Sequence, residues 1–131
     1  MEAAQALADL TEISTQIKAA ALFRADGSID AATLADGTRF VEAARALLSA
    51  AEGVRAEPLV QLEAATADGS VFVVRDGERV VAAVTGPEPT VGLVFYDLKS
   101  CLRSSADEEA EKPKRAAPKR KPKEEGGNGE A

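Results

Sequence analysis

The chain has 131 residues, with 16 Lys or Arg and 22 Asp or Glu, and its formal net charge is −6. This length favours one domain, and the acidic balance argues against a nucleic-acid surface on the folded part. One cysteine and no histidine exclude an internal disulfide and a thiolate metal cage, so a reducing cytoplasm is the expected location. No apolar run approaches the ~18–20 residues that span a bilayer, and we expect no signal peptide.

The first third of the chain predicts a helix followed by a hairpin. Residues 2–14 carry apolar side chains at spacings of three and four, which is typical of an amphipathic helix. In residues 17–24, IKAAALFR, alternate positions are apolar, which predicts a strand. Asp26-Gly27 marks a turn, and a second, weaker strand follows within residues 28–34.

A second helix begins near Asp36 or Thr38, whose side chains can accept hydrogen bonds from its first amides, and runs to about Glu52, with Gly53 as a natural cap. Neighbouring alanines let another helix approach closely, although alanine is also simply the best helix former. We take the apolar stripe of this helix as the candidate dimer interface, because one sheet need not cover it fully. The stripe consists of Phe40, Ala44, Leu47, Leu48 and Ala51.

The stretch VFVVRDGERVVAAV, residues 71–84, predicts the central hairpin, since Asp-Gly between two β-branched runs favours a type I′ turn. A preceding strand, LVQLEAAT, opens after Pro58. Both faces of the hairpin are largely apolar, so we expect helices on one face and either cover or association on the other. Arg75 and Arg79 flank the turn. They either reach a partner's phosphate or acidic loop, or keep an exposed turn soluble.

After a Gly/Pro break, TVGLVFYDL is rich in β-formers, but its apolar residues step by three and one into Cys101 and Leu102, which predicts a helix packed on the sheet. Cys101 on that stripe is interpreted as a buried structural thiol, not a nucleophile. Residues 104–131 hold seven basic and seven acidic residues and no Leu, Ile, Val or aromatic residue. We therefore predict a domain at 1–103 and a disordered charged tail at 104–131.

No motif in the chain carries catalytic chemistry. There is no histidine, no GxxxxGK[ST] loop and no GxGxxG loop. We therefore expect no enzyme activity, no cofactor and no metal.

The order and length of these elements resemble the roadblock (dynein light-chain) family, and in particular its bacterial members that regulate small Ras-like GTPases. The resemblance covers about residues 5–105 and rests on four segments: IKAAALFRADGSI, the helix from Phe40 to Ala51, GSVFVVRDGERVVAAV and TVGLVFYDLKSCL. Thr15-Gln16 stands where many relatives have Pro-Gly. The resemblance implies an α/β sandwich with a five-stranded antiparallel sheet in the order α-β-β-α-β-β-β-α. It also implies a homodimer, joined through sheets or second helices, that docks a GTPase.

The function expected from these observations is that of a non-enzymatic homodimeric regulator or scaffold of a small Ras-like GTPase in a bacterial cytoplasm. The alternative is a purely structural adaptor that leaves nucleotide turnover unchanged. A third hypothesis is binding of nucleic acid or an anionic surface by the basic block KPKRAAPKRKPK of the tail, although the acidic blocks beside it compete for the same charges.

Overall fold

A computed structural model describes residues 2–55 and 60–116. Within them the chain has the predicted order α-β-β-α-β-β-β-α. The elements are α1 (Ala3–Ile13), β1 (Ile17–Arg24), β2 (Ile29–Ala32), α2 (Gly37–Arg55), β3 (Gln61–Thr66), β4 (Gly69–Asp76), β5 (Arg79–Thr85) and α3 (Val91–Ala116). The predicted start of the third strand, at Pro58 and Leu59, lies outside the described residues.

All five strands form one antiparallel sheet in the order β2-β1-β5-β4-β3. The pairing of β1 with β5 joins the first hairpin to the last one, so the predicted central hairpin β4–β5 does lie in the middle of the sheet. The edges of the sheet are the short strand β2 and the strand β3.

Helices cover both faces of the sheet. Because successive side chains of a strand point to opposite faces, β4 and β5 supply residues to two separate cores. One core, under α1 and α3, contains Leu7, Leu10, Leu22, Phe72, Val74, Val81, Val94 and Leu98. The other, under α2, contains Phe23, Val41, Ala44, Leu48, Val73 and Val80. The second face of the hairpin is therefore covered within the chain.

The turn of the central hairpin differs from the predicted one. Asp76 pairs with Arg79, so the two loop residues are Gly77 and Glu78. Gly77 has φ 63°, whereas among the described residues Glu88 is the non-glycine residue with positive φ. A positive φ at the first central position alone fits type II′, in which glycine is required there, and not type I′.

Gly69 begins β4 at a close approach of two backbones. Its φ is 156°, and a Cβ atom at this position would lie 2.1 Å from the carbonyl oxygen of Thr85. No side chain fits at that distance, so glycine here is a steric requirement. At Gly53 no such requirement exists. This glycine lies inside α2 and not at its end, so the prediction that it caps the helix is wrong.

The last helix confirms the helical interpretation of residues 91–102, because Val94, Leu98 and Cys101 are buried. The predicted domain boundary after residue 103 falls within this helix and stays a prediction. α3 continues to Ala116, and Ser105 is buried. Residues 117–131 of the predicted tail lie outside the described residues.

Candidate interaction surfaces

The central residues of the stripe predicted as a dimer interface face the sheet. Ala44 and Leu48 are 3% and 5% exposed and pack in the core between α2 and the sheet. They have almost no surface left to give to a partner. Phe40, Leu47 and Ala51 lie at the margins of this face and remain partly exposed.

A second stripe of α2 points to solvent. Ala43, Ala50 and Val54 are exposed, Val54 by 83%, and Leu47 is half-buried. These four residues are spaced by four, three and four, so at 100° per residue they fall within about 60° of the helix circumference. We call Ala43, Leu47, Ala50 and Val54 the α2 outer stripe. The heptad-like spacing is a sequence signal that could have separated it from the core stripe.

The two arginines beside the hairpin turn do not form one site. Arg75 Nη1 donates to Glu52 Oε2 at 3.1 Å, and Arg75 Nε donates to the carbonyl oxygen of Gly77 at 2.8 Å. Arg79 Nη1 donates to Ser105 Oγ at 3.2 Å. Arg75 therefore ties the turn to α2 on one face of the sheet, and Arg79 ties it to α3 on the other.

The separation of these arginines follows from strand pairing. A two-residue loop always pairs an odd-numbered residue with an even-numbered one, and directly paired residues share a face. Arg79 pairs with Asp76, whose side chain points away from the face of Arg75. Once the length of the loop is known, the sequence alone therefore predicts that the two arginines lie on opposite faces of the sheet.

A polar junction that the sequence did not predict lies where α2 meets the β1–β2 turn. Arg45 Nε donates to the carbonyl oxygen of Ala25 at 3.1 Å. Gly27 leaves room for this guanidinium, because a Cβ atom there would lie 2.8 Å from Arg45 Nη1. In the same turn, hydrogen bonds from the backbone N–H and the hydroxyl of Ser28 lower the pKa of Asp26. A cavity of about 150 Å³ adjoins the junction and is lined by Phe23, Ala25, Arg45, Leu48, Ser49, Glu52, Arg75 and Val80.

Cys101 is a buried thiol, as predicted. Its Sγ donates to the carbonyl oxygen of Ala6 at 3.5 Å, which links α3 to α1. Burial, with a smaller contribution from the charge of Asp9, raises the pKa of Cys101 to about 12. The thiol therefore stays protonated at neutral pH, and the protonated form is a poor nucleophile.

Neither a metal site nor a membrane span is found in the part of the chain that the structure describes. In residues 2–55 and 60–116, no three His, Cys, Asp or Glu side chains are grouped so that they could hold a metal ion. No helix of these residues is both long enough and apolar enough to cross a bilayer.

No protein-family model matches the chain, and no curated protein does. Solved structures do match. A Roadblock/LC7 domain from Streptomyces avermitilis has a TM-score of 0.68 at 17% identity, covering 79% of this chain and 93% of its own. Myxococcus xanthus MglB has a TM-score of 0.69 at 14% identity, covering 83% and 89%. A structure of MglB with a tetrameric arrangement has a TM-score of 0.60 at 18% identity, and the match covers 81% of this chain and 90% of the MglB chain. The chain has the roadblock fold, as the sequence resemblance implies.

Proposed function

We propose that this protein is a homodimeric member of the roadblock family that regulates or scaffolds a small Ras-like GTPase through protein–protein contact. The observation that carries the proposal is the α2 outer stripe on a roadblock fold. Both sheet faces are covered by the chain's own helices, yet α2 still presents an apolar line to solvent. Apolar area that is exposed along one helix side and spaced for helix pairing marks an interface.

The proposed dimer pairs the α2 outer stripes of two copies across a two-fold axis. Ala43 and Ala50 are small enough to allow close approach of the helix backbones, and Leu47 and Val54 fill the space between them. In an isologous interface each residue is used twice, so a single substitution counts twice. An MglB of this fold has been solved in a tetrameric arrangement, which supports self-association of such chains. The main alternative is pairing through the edge strand β3.

The GTPase is proposed to dock on the assembled dimer, in the cytoplasm, without a cofactor of the regulator's own. Regulation then acts through the position of the bound GTPase, because Arg75 and Arg79 are engaged within the chain. A guanidinium inserted into a GTPase active site accelerates hydrolysis strongly, but these two hold α2 and α3 to the hairpin. This engagement favours the second candidate function, an adaptor that binds without changing nucleotide turnover.

Hydrolysis and exchange assays separate the two functions. Single-turnover GTP hydrolysis and release of labelled GDP are measured for GTPases captured from the native host, with and without the full chain. A change in either rate supports regulation. Binding with both rates unchanged supports the adaptor, and the absence of any GTPase among captured proteins contradicts the proposed regulation.

Leu47→Glu is the interface variant in these assays, and Ser49→Glu is its matched control at an exposed position of α2, about 160° from Leu47 around the helix. If the dimer is the docking platform, only the first substitution weakens GTPase capture. The hypothesis of a nucleic-acid-binding or surface-binding tail is tested in the same series by deleting residues 112–131, which removes the whole basic block. Loss of nucleic-acid retention on deletion would support it.

A further inference from the structure

Within residues 2–55 and 60–116, the sheet face beneath α1 and α3 is not covered across its whole width. α1 packs over β1 and β2, and α3 packs over β4 and β5. Directly paired residues share a face, so Gln61 and Glu63 point to this side with Val74 and Phe72. Glu63 is exposed and Gln61 is half-buried. A strip of sheet about one strand wide, roughly 5 Å, is therefore open beside α3.

A groove of about 280 Å³ lies at the end of this strip, between α3 and the ends of β3 and β4. The buried residues Val74 and Leu102 line it, and the exposed residue Val60 lies at its outer side. Lys99 and Arg103 are exposed on its rim. The groove thus combines an apolar lining with two cations one helical turn apart.

The solvent side of α3 extends this surface toward the start of the helix. Tyr96 is 64% exposed and Leu93 is 50% exposed. They lie three residues apart, and Tyr96, Lys99 and Arg103 follow at spacings of three and four, so all of them share one side of the helix. A largely exposed tyrosine beside an exposed leucine is the composition of an interface core, and the basic residues next to it supply a polar rim.

The charge on the α3 side of this surface is opposite in sign to the net charge of the whole domain. Residues 1–103 contain 9 basic and 15 acidic residues, yet the α3 side of the groove presents Lys99 and Arg103. The opposite side presents Glu63, which accepts a hydrogen bond from the Ser70 hydroxyl at 3.1 Å, and Asp76. Arg75 also lines the groove, but its guanidinium is held by Glu52 and the Gly77 carbonyl toward α2. An acidic partner is attracted by the α3 side and repelled by the strand side. The charges therefore determine both the sign of the partner's charge and the orientation in which the partner binds.

We infer that this surface binds an amphipathic helix of a partner protein, with acidic residues facing Lys99 and Arg103 and apolar residues facing Tyr96 and the groove. A helix is the element that fits, because it would continue the layer that α1 and α3 begin over the same sheet face. The site lies on the face opposite to α2. The inference is thus independent of the proposed dimer and of GTPase docking.

The test uses two labelled synthetic peptides of about 20 residues, long enough to be helical. Both have leucines at the i, i+3, i+4 and i+7 positions of one face. One carries glutamate along the flank of that face, and the other carries lysine at the same positions. Fluorescence anisotropy with the full chain is expected to show affinity at least about tenfold higher for the glutamate peptide.

The double variant Lys99→Glu/Arg103→Glu is expected to reverse this preference, which a merely structural role of the two residues would not do. Tyr96→Ala should lower the affinity for the glutamate peptide several-fold without unfolding the chain, because the side chain is mostly exposed. Arg39→Glu, a charge reversal at an exposed position of α2, is the control and should leave binding unchanged. Circular dichroism checks that each variant is folded.

Absence of binding, equal affinity for the two peptides, or an unchanged preference in the double variant overturns the proposal. Light scattering supplies a further possible refutation. If the wild type forms assemblies larger than a dimer and Tyr96→Ala prevents them, the occupant of the surface is a second copy and not an acidic helix. A dimer that persists in every α3 variant, together with no peptide binding, refutes this inference and leaves the α2 dimer intact.

Discussion

Substitutions at Leu47 and Leu48 test the assignment of the two sides of α2, because neighbours in sequence should fail in different ways. Leu48 is buried against Val73 and Val80 in the core under α2. Leu48→Ala removes that packing, and core substitutions of this kind cost about 2–5 kcal/mol. Leu48 also lines the cavity of about 150 Å³, where solvent can enter the vacated space. We therefore expect a loss of about 2–3 kcal/mol, or roughly 10 °C in Tm.

Leu47→Glu should instead act on assembly. The side chain is half-buried at the edge of the α2 outer stripe, so a glutamate can turn to solvent in the monomer at a cost of about 1 kcal/mol or less. Across a two-fold axis two carboxylates meet without a partner, and the dimer Kd should rise at least about tenfold.

Thermal unfolding at several protein concentrations separates these effects, since binding of a second copy makes Tm depend on concentration. The wild type and Leu48→Ala should show rising Tm with concentration, offset from each other, whereas Leu47→Glu should show a flat line near the dilute wild-type value. Ser49→Glu, at an exposed position on the far side of α2, serves as the neutral control. A wild-type Tm independent of concentration, together with a monomer in light scattering, refutes the dimer. A Leu47→Glu protein that is unfolded while Leu48→Ala is not refutes the orientation of α2.

Three further outcomes are expected. Deleting residues 117–131 should change the free energy of unfolding by no more than about 0.5 kcal/mol. Deleting residues 104–131 should lower it by about 1–3 kcal/mol in denaturant titrations, because this deletion removes the buried Ser105 that binds Arg79. Equal losses in the two deletions would contradict this prediction. Gly69→Ala should destabilise by about 3 kcal/mol or more through its clash with a strand carbonyl, while Gly53→Ala, inside α2 with nothing within 4 Å, should stabilise by about 0.5–1 kcal/mol. Cys101 should react with thiol reagents slowly in the native protein and quickly in denaturant; because its folded pKa is raised to about 12 from 9.0, its contribution to stability should be complete below pH 9 and fall as the pH rises toward 12. Equal labelling rates in both states would show that the thiol is accessible.

The type and order of every element were predictable from the sequence. The central hairpin, the helix at residues 91–102 and the individual strands follow from periods of 2.0 and 3.6 residues, from Asp-Gly turns and from a Gly/Pro break, whereas the single five-stranded sheet was implied by the family resemblance. These signals are local, because each depends on neighbours along the chain. Their combination, in the order of the roadblock family, is sufficient to indicate the fold.

The tertiary structure decided which side of α2 is the core. Residue spacing predicts one apolar stripe on α2, formed by Phe40, Ala44, Leu47, Leu48 and Ala51. The sheet covers only the centre of this stripe, and the second stripe through Ala43 and Ala50 faces solvent. Apolar residues lie on both sides of this alanine-rich helix. The sequence therefore does not fix its rotation, and the volume available above Val73 and Val80 does.

Tertiary packing also determined how far the last helix extends. Composition predicts disorder from Ser104, since nothing after it is strongly apolar. The helix continues because it is already nucleated and docked by Val94 and Leu98, so that each further turn adds hydrogen bonds without a new nucleation cost. Ser105 then gains a partner in Arg79, which is 26 residues away in sequence. A contact of that separation has no local signal, and only the packing of α3 on the sheet brings the two residues together.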